Sequence, residues 1–346
     1  MEKESLCGKT ITELEEAVTA LGLPRYNAAQ ISDWLYKKQS FEIGDMSNLS
    51  KQARELLSEK YDVGRVPPAD VQRSSDGTKK YLFETVKGNY IEAAYIPEEK
   101  RNTLCISAQA GCKMGCLFCM TGKQGFQANL SPGEIINQLL SLPEREQVSN
   151  LVFMGMGEPF DNMDNLMKTL DILTASWGAG ISPRRITVST IGIIPAMQRF
   201  IEESSCHLAV SMHTPFADER VRLMPVENIY PIRDVVTYLK TYDIERQRRI
   251  SFEYIMFAGL NDGRRHVNEL VRLLHGLKAR INLIRFHPVP GTPLSGSSDQ
   301  TIHEFRDALI AKGITTTIRA SRGLDIAAAC GLLSTKALLE KEKRQH

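Results

Sequence analysis

The 346-residue chain has no uninterrupted apolar stretch close to the roughly 18 residues of a membrane-spanning helix. Its first residues are acidic and amphipathic, without an apolar segment or a small-residue cleavage site, so we expect no secretory signal and a cytoplasmic protein. Aromatic residues are scarce at 7%. Charged residues at 24% and hydrophobic residues at 42% nevertheless exclude a disordered or fibrous chain and suffice for a sizeable core.

A framework of structural disulfides is also missing. Small secreted proteins carry many evenly paired cysteines, whereas this long chain has an odd number of unevenly spaced ones. The seven positions are Cys7, Cys105, Cys112, Cys116, Cys119, Cys206 and Cys330. In a reducing compartment, such cysteines indicate metal binding or catalysis.

The chain has little net charge, with 43 Lys and Arg against 41 Asp and Glu. The balance is uneven, because residues 246–346 contain 17 basic and 9 acidic side chains. A solvated basic surface explains this, and so does a face that binds nucleic-acid phosphates. The candidates for a phosphate-binding face are Arg246, Arg248, Arg249, Arg264, Arg265, Arg280, Arg285, Arg319 and Arg322.

The first part of the chain predicts a small helical unit. Three segments within residues 9–62 have apolar residues at intervals of three and four, and Ser47 or Asn48 is the candidate N-cap of the third helix. We therefore divide the chain into four regions. These are a helical N-terminal domain (1–62), a β-rich connection (63–98), a barrel with a C-terminal catalytic loop (99–335) and a basic tail (336–346).

Beyond residue 99, apolar β-branched runs alternate with amphipathic helical patterns. The six runs are TLCISAQ, NLVFMGMG, RITVST, HLAVSMH, RISFEYIMF and INLIRFHP. Six strand–helix units predict a parallel sheet of the α/β class. Since eight units close a full barrel, six predict a partial, TIM-like (β/α)6 barrel, with TTTIRAS as a candidate edge strand. Chemistry in such folds gathers at the carboxyl ends of the strands.

Three cysteines follow the first of these strands within eight residues. Cys112, Cys116 and Cys119 lie in a glycine-rich loop whose backbone can wrap closely around a metal centre. Three thiolates on a 4Fe-4S cluster leave one iron open for a small ligand. A structural zinc site needs four ligands and would have to recruit Cys105 or His207.

This CxxxCxxC loop resembles that of the radical S-adenosylmethionine (SAM) superfamily. Further segments resemble, within it, the family of RNA adenine methyltransferases that contains RlmN and Cfr. They are Met156 to Pro159, Thr187 to Gly192, Ser211 to His213, and Cys330 with Gly331. Gln124-Gly125-Phe126 is similar to RlmN, which methylates C2 of adenine, rather than to Cfr, which methylates C8. The resemblance covers the whole chain.

The resemblance implies a binding role for two groups of residues. Cys112, Cys116 and Cys119 would hold the 4Fe-4S cluster. The SAM contacts would be Gly157, Glu158, Ser189, Ser211, Met212, His213 and His287. Met212 would act through its backbone, and His287 stands where the family often has Asn.

Three further residues acquire catalytic roles by resemblance. Cys330 would be the methyl carrier, although a cysteine among alanines is more often a small core residue. Cys105 would be the resolving thiol that forms a transient disulfide with Cys330. Glu92 would be the base that removes a proton from the adenine ring, and burial would raise its pKa. Without the resemblance, the alternation of residues along the strand would place Glu92 on the solvent-exposed face of the sheet.

The implied reaction methylates C2 of an adenosine in 23S rRNA and, in some members of the family, of a tRNA adenosine. It consumes two SAM molecules and needs an electron donor such as flavodoxin or ferredoxin. We expect a monomer that binds no membrane. Three alternatives stay open: C8 methylation, a zinc-dependent RNA-binding module, and a thiol–disulfide oxidoreductase.

Overall fold

The computed structural model describes residues 3–38, 40–242 and 250–328. The N-terminal unit consists of three helices enclosed by two short paired strands. Their bounds are β1 (Glu4–Ser5), α1 (Ile11–Ala20), α2 (Asn27–Tyr36), α3 (Lys51–Lys60) and β2 (Tyr61–Asp62). The three predicted helices are therefore confirmed.

The predicted N-cap of α3 is wrong. Helix α3 begins after Ser50, whose Oγ accepts a hydrogen bond from the Ala53 backbone N–H at 3.1 Å. The side chain of Asn48 instead accepts a hydrogen bond from the Trp34 indole N–H at 2.6 Å. Both residues are good capping types, so a tertiary contact of Asn48 leaves the cap to Ser50.

A sheet of ten strands forms the centre of the molecule. The strands after the N-terminal unit are β3 (Asp70–Arg73), β4 (Lys79–Glu84), β5 (Tyr90–Glu98), β6 (Arg101–Cys105), β7 (Gln109–Gly111), β8 (Phe126–Asn129), β9 (Asn150–Phe153), β10 (Ile186–Thr190), β11 (His207–Ser211), β12 (Ile250–Met256), β13 (Ala279–Arg285) and β14 (Thr315–Ile318). The order across the large sheet is β14-β13-β12-β11-β10-β9-β6-β5-β4-β3, and β7 pairs separately with β8.

Seven of these strands are parallel. They comprise β6 and β9 to β14 in unbroken order. The six predicted strands are thus confirmed, and β14 is the expected edge strand. Strands β3 to β5 are antiparallel and extend the same sheet beyond β6. Because β5 and β6 pair directly, the β-rich connection is continuous with the barrel sheet, and the division at residue 98 stays a prediction.

Helices connect the parallel strands and cover their outer face. Their bounds are α4 (Met120–Gln124), α5 (Pro132–Leu140), α6 (Met163–Thr174), α7 (Ile194–Glu203), α8 (Ala217–Leu223), α9 (Ile232–Thr241), α10 (Arg264–Leu274) and α11 (Asp299–Ala311). Helix α5 has a capping box of Ser131 and Glu134 around Pro132 at its first turn, which fixes where it begins. No helix in the described part of the chain is long and apolar enough to cross a membrane.

One hydrophobic core runs from the N-terminal helices into the barrel. Polar contacts reinforce the junction. The Ser32 hydroxyl donates to the Trp177 carbonyl at 2.6 Å, and Lys168 pairs with Glu13 at 2.6 Å. A Cβ on Gly8 would lie 2.3 Å from the backbone nitrogen of Gly133, so the two backbones are in direct contact. The N-terminal unit is therefore packed firmly on α5 and α6.

Candidate active site

The three clustered cysteines line one cavity at the carboxyl ends of the parallel strands. This cysteine-loop cavity has a volume of about 890 Å³ and opens to solvent. Cys112, Cys116 and Cys119 all line it. Its lining combines thiols, a carboxylate and hydroxyls with apolar side chains, as cofactor sites do.

The hairpin of β7 and β8 shapes the cysteine loop. Gly111 has φ +71°, and a Cβ there would lie 1.9 Å from the Gly125 carbonyl oxygen, so only glycine fits. The Cys112 backbone N–H donates to the same carbonyl at 3.1 Å. Farther along the loop, the Leu117 N–H donates to the Leu223 carbonyl at 2.9 Å, which ties the loop to α8.

The cysteine side chains are suited to a positively charged metal centre. Burial raises the pKa of Cys112 to about 12, and burial also raises that of Cys116, with neighbouring acidic groups adding to both shifts. Burial thus disfavours the thiolate form of both side chains, and a bound cation would favour it. Thiolates in a glycine-lined loop are the donors that iron–sulfur clusters use.

Neither candidate for the fourth ligand of a zinc site, Cys105 or His207, lines the cavity of the three cysteines. Within residues 3–38, 40–242 and 250–328, no three His, Cys, Asp or Glu side chains converge as ligands of a single metal ion do. In a 4Fe-4S cluster each cysteine binds a different iron, so its sulfurs do not gather around one ion. Cys105 lines a different cavity. His207 is the first residue of β11, at the opposite end of the strand from Ser211 and the cavity.

Glu158 lies in the same cavity with its carboxylate held by backbone groups. Its two oxygens accept hydrogen bonds from the N–H groups of Phe160 at 3.1 Å and Ile191 at 3.0 Å. Burial raises the pKa of Glu158 to about 7 even though these bonds act to lower it. A ligand ammonium group would stabilise the ionised form.

The turn that carries Glu158 requires glycine. Gly157 has φ +91°, and a Cβ on it would lie 2.4 Å from the Cβ of Gln109. The Gln109 side chain in turn accepts a hydrogen bond from the Glu158 N–H at 2.8 Å. The close approach of these two segments fixes Glu158 at the end of β9.

His213 is a strained and neutral residue of the cavity. Its φ of +60° lies in the left-handed region, which a residue other than glycine adopts at a cost. Burial lowers the pKa of His213 to about 3, and Arg220 lowers it further. Its Nδ1 accepts the Ile255 backbone N–H at 3.0 Å, so the proton of the neutral ring is on Nε2. His213 can therefore donate a hydrogen bond from Nε2.

The remaining predicted SAM residues are divided between cavity and core. Ser189 and Ser211 line the cysteine-loop cavity. The Met212 side chain is fully buried in the hydrophobic core, and its backbone N–H donates to the Glu253 carbonyl at 3.0 Å. Met212 is not among the residues that line the cavity, and its backbone contact with SAM stays a prediction.

Arg220 binds the backbone of residues that line the cavity, and the sequence analysis did not predict this role. It is completely buried and pairs with Glu227 at 2.5 Å. Its guanidinium also donates to backbone carbonyls at the ends of β10 and β11. The distances are 2.9 Å to Ile191, 3.0 Å to Ser211 and 3.2 Å to Met212. The position of Arg220 in a short helix of mixed polarity gives no sequence signal for this role.

Glu253 is a second cavity residue that the sequence analysis missed. It lies in the middle of β12, is buried, and accepts a hydrogen bond from Asn282 at 2.8 Å. Burial raises the pKa of Glu253, while Arg319, 4.0 Å from Oε2, acts to lower it. A lone acid in an otherwise apolar strand was a usable signal for this position.

Cys105 lines a neighbouring cavity. This Cys105 cavity shares the side chains of Met154, Ile284 and Arg319 with the cysteine-loop cavity, so the two are separated by a common wall. Cys105 and Ala328, the last described residue, belong to one small buried cluster and both line this cavity. Cys330 lies outside the described residues.

His287 lines the Cys105 cavity and is not among the residues around the cysteine loop. Its Nε2 is 3.0 Å from the Ser321 hydroxyl oxygen. Burial lowers the pKa of His287, and Arg285 lowers it further. The structure does not bring His287 together with the other predicted SAM residues, and its contact with the cofactor stays a prediction.

Glu92 is buried on the face of the sheet that carries Cys105. Its Oε1 is 3.3 Å from the Lys80 ammonium, and both side chains are 5% exposed. In the β5–β6 pairing, Ala94 is opposite Cys105. Glu92 is two residues from Ala94 and therefore points to the same face, at a diagonal separation of about 7–8 Å between backbones. The expectation that alternation puts Glu92 on a wet face is wrong.

Comparisons with known proteins agree along the whole chain. The model of the radical SAM superfamily matches residues 106–274, and that of the ribosomal RNA large subunit methyltransferase N-terminal domain matches residues 5–63. A probable dual-specificity RNA methyltransferase RlmN of Bacteroides fragilis is 53% identical over 99% of this chain and 100% of its own. A protein of the same description from Phocaeicola vulgatus is 54% identical over 99% and 97%.

A solved structure is also similar over nearly the full length. The crystal structure of a radical SAM methyltransferase from Sphaerobacter thermophilus has a TM-score of 0.90 and 39% sequence identity. The match covers 95% of this chain and 98% of that protein, including the N-terminal helices and the barrel.

Proposed function

Because the chain belongs to the RlmN family of radical SAM RNA methyltransferases, we propose that it methylates carbon C2 of an adenosine in 23S rRNA and of a tRNA adenosine. The observation that carries this proposal is the common wall of the two cavities, one with the cysteine loop and Glu158, the other with Cys105. The choice of C2 over C8 rests on the resemblance of Gln124-Gly125-Phe126 to RlmN.

The cysteine-loop cavity is the proposed cofactor site. Cys112, Cys116 and Cys119 would hold a 4Fe-4S cluster, which together with SAM supplies the radical chemistry that an unreactive aromatic carbon requires. Glu158 would accept the ammonium group of SAM, and His213 would donate to it from Nε2. The hydroxyls of Ser189 and Ser211, with the backbone of Met212, would complete the contacts.

The Cys105 cavity is the proposed site of the thiol chemistry. Cys330 would carry the methyl group as a thioether. Once the new carbon–carbon bond has formed, Glu92 would remove the ring proton while one electron leaves the adduct for a one-electron carrier, which restores the aromatic ring. The Cys105 thiolate would then attack the Cys330 sulfur. A disulfide forms, the bond between sulfur and the base's new carbon breaks, and that carbon keeps the electron pair and takes up a proton.

The short stretch of chain between Ala328 and Cys330 supports this exchange. Ala328 shares a buried cluster with Cys105, and two residues of chain, at most about 7 Å long, lead from Ala328 to Cys330, which lies outside the described residues. A thiol reductant would restore both cysteines for the next cycle.

Further partners follow from the same assignment. RNA would contact the basic last third of the chain, where Arg264 is exposed and Arg319 and Arg322 line the Cys105 cavity, while Arg246, Arg248 and Arg249 lie outside the described residues. Flavodoxin or ferredoxin would supply electrons, two SAM molecules would be used per turnover, and the protein would act as a cytoplasmic monomer.

The product identifies the reaction. The protein is reconstituted anaerobically with iron and sulfide and incubated with an rRNA fragment, SAM and reductant, and the digested nucleosides are analysed by mass spectrometry. We expect 2-methyladenosine. Finding 8-methyladenosine would instead assign the chain to Cfr chemistry, and the absence of any methylated adenosine would contradict the proposal.

Binding of SAM is expected to weaken as the pH falls below 7. The protonated carboxyl of Glu158 cannot pair with an ammonium group, and its pKa of about 7 in the ligand-free protein sets the midpoint. The dissociation constant should rise by up to tenfold per pH unit below 7 and level off above it. Calorimetric titration at several pH values measures this, and a Glu158→Gln variant should bind weakly with a flat profile. A wild-type affinity that does not change between pH 6 and 8 would remove Glu158 from this role.

A further inference from the structure

Two segments far apart in sequence are bonded to each other near the end of the described chain. One is the turn between β3 and β4, here called the hairpin turn (residues 74–78). The other is the pre-cysteine loop (residues 323–328), which Cys330 follows by two residues. The bonded residues are up to 251 positions apart, so the fold and not local sequence brings them together.

Asp325 of the pre-cysteine loop is bound by the hairpin turn at both of its oxygens. The Ser74 hydroxyl donates to Oδ1 at 2.5 Å, and the Ser75 backbone N–H donates to Oδ2 at 3.0 Å. The hydrogen bond from Ser74 and that from Ser75 lower the pKa of Asp325, so it is ionised at neutral pH. Both bonds are charge-assisted, which makes them stronger than neutral ones.

Asp76 of the hairpin turn makes the reciprocal contact. Its Oδ2 accepts the Gly323 backbone N–H at 2.9 Å, while its Oδ1 accepts that of Thr78 at 2.9 Å. Burial acts to raise the pKa of Asp76, but these backbone bonds outweigh it and hold the pKa well below its usual range. Each segment thus supplies one carboxylate to the other.

The backbone of the pre-cysteine loop leaves little freedom at this contact. Gly323 and Ala327 both have left-handed φ values, +63° and +51°. A Cβ on Gly323 would lie 2.7 Å from the Cβ of Ala328 and 2.9 Å from a methyl carbon of Thr78. The left-handed Ala327 is strained, and such strain persists only where surrounding contacts determine the conformation. The hydrogen bonds of Asp76 and Asp325 supply such contacts on this loop.

We propose that Asp76 and Asp325 are positioning residues that fix the pre-cysteine loop and thereby set the distance between Cys330 and Cys105. Ala328, at the end of the loop, shares a buried cluster with Cys105, and both residues line the Cys105 cavity. Holding two reacting groups in place raises their effective concentration, and a displacement of about 1 Å can cost two orders of magnitude in rate. The inference rests on the proposed role of Cys330.

The effective concentration of the two thiols can be measured without turnover. In glutathione buffers, Cys105 and Cys330 form a disulfide as glutathione disulfide is reduced to two glutathione thiols. Peptide mapping by mass spectrometry gives the equilibrium constant for this one pair in the full-length, cluster-loaded protein. We expect the Asp76→Ala/Asp325→Ala variant to lower this constant at least tenfold. The yield of methylated adenosine per 5′-deoxyadenosine formed should fall in parallel.

Asp70→Ala is the matched control. Asp70 is an exposed aspartate of β3 in the same hairpin, and its carboxylate caps its own neighbour Val71 at 2.8 Å. The Asp70→Ala variant should leave the equilibrium constant of the Cys105–Cys330 disulfide unchanged within twofold. If the double variant does not fold, Ser74→Ala removes one bond and should lower the constant by a smaller factor. Ser74→Asp with Asp325→Ser restores a carboxylate–hydroxyl pair in reverse and should recover part of the loss.

Equal constants for Asp76→Ala/Asp325→Ala and Asp70→Ala would overturn the positioning role. A fold-loss of SAM affinity in the double variant as large as its fold-loss in the disulfide equilibrium constant would also overturn the role, because it would indicate general damage to the fold. A wild-type protein that forms the disulfide but yields no methylated adenosine would refute the proposed function and leave the positioning role intact. The two failures are therefore distinguishable.

Discussion

Replacing Cys105 with alanine is expected to stop the enzyme within its first turnover, with the RNA attached to Cys330 through a thioether. Without a thiol beside the pre-cysteine loop, nothing attacks the Cys330 sulfur, and the bond between sulfur and the base's new carbon persists. The adduct is measured on a denaturing gel and by mass spectrometry of the Cys330 peptide, which should carry the nucleotide. Free methylated adenosine should fall below one equivalent per enzyme.

Cys206→Ala is the control for this experiment. Cys206 is also a buried cysteine, 1% exposed, but it belongs to the main hydrophobic core and lines neither cavity. This variant should continue to turn over and accumulate no adduct. Repeated turnover by Cys105→Ala would show that another group resolves the intermediate.

Glu92→Gln is expected to lower formation of methylated adenosine by about 10²–10⁴-fold, the usual contribution of a general base. Methylation of Cys330 itself should persist, because that step takes no proton from the adenine. The two steps are followed separately, by mass spectrometry of the Cys330 peptide and of the digested RNA. A covalent RNA adduct that has not lost its ring proton should accumulate.

The ion pair of Glu92 with Lys80 requires its own control. Both side chains are buried, so neutralising Glu92 alone leaves a buried ammonium without its carboxylate and lowers stability. A Lys80→Gln/Glu92→Gln variant removes both charges and should recover thermal stability but not activity. Glu98→Gln, at the end of the same strand, should be fully active. Normal RNA methylation by Glu92→Gln would refute the assignment as base.

The parallel strands and helices could be predicted from sequence because their signals are local. Strand β12, for example, is a continuous run of residues that are buried on both faces of the sheet. The cysteine loop was recognisable because three ligands fall within eight residues. The prediction of the α3 N-cap failed because Asn48 and Ser50 are equally good capping residues, and only the contact of Asn48 with Trp34 decides between them.

Other parts of the site depend on contacts between distant segments. Arg220 donates to three carbonyls at or just beyond the ends of β10 and β11, and no pattern around it in the sequence reveals these contacts. The pairing of Asp325 with the hairpin turn spans most of the chain. The prediction of a solvent-exposed face for Glu92 was wrong, because Glu92 is buried beside Lys80 of the neighbouring strand β4, with which it forms an ion pair. Such features follow from tertiary packing, which a single sequence does not display.

The single core that joins the N-terminal unit to the barrel limits the substitutions that this protein can accept during evolution. Because Gly8 and Gly133 touch backbone to backbone, a larger residue at either position separates the two units. The helices cannot be exchanged for those of a distant relative unless α5 and α6 change with them. Substitutions on the two sides of this junction should therefore be inherited together, as they are between subunits of an obligate complex.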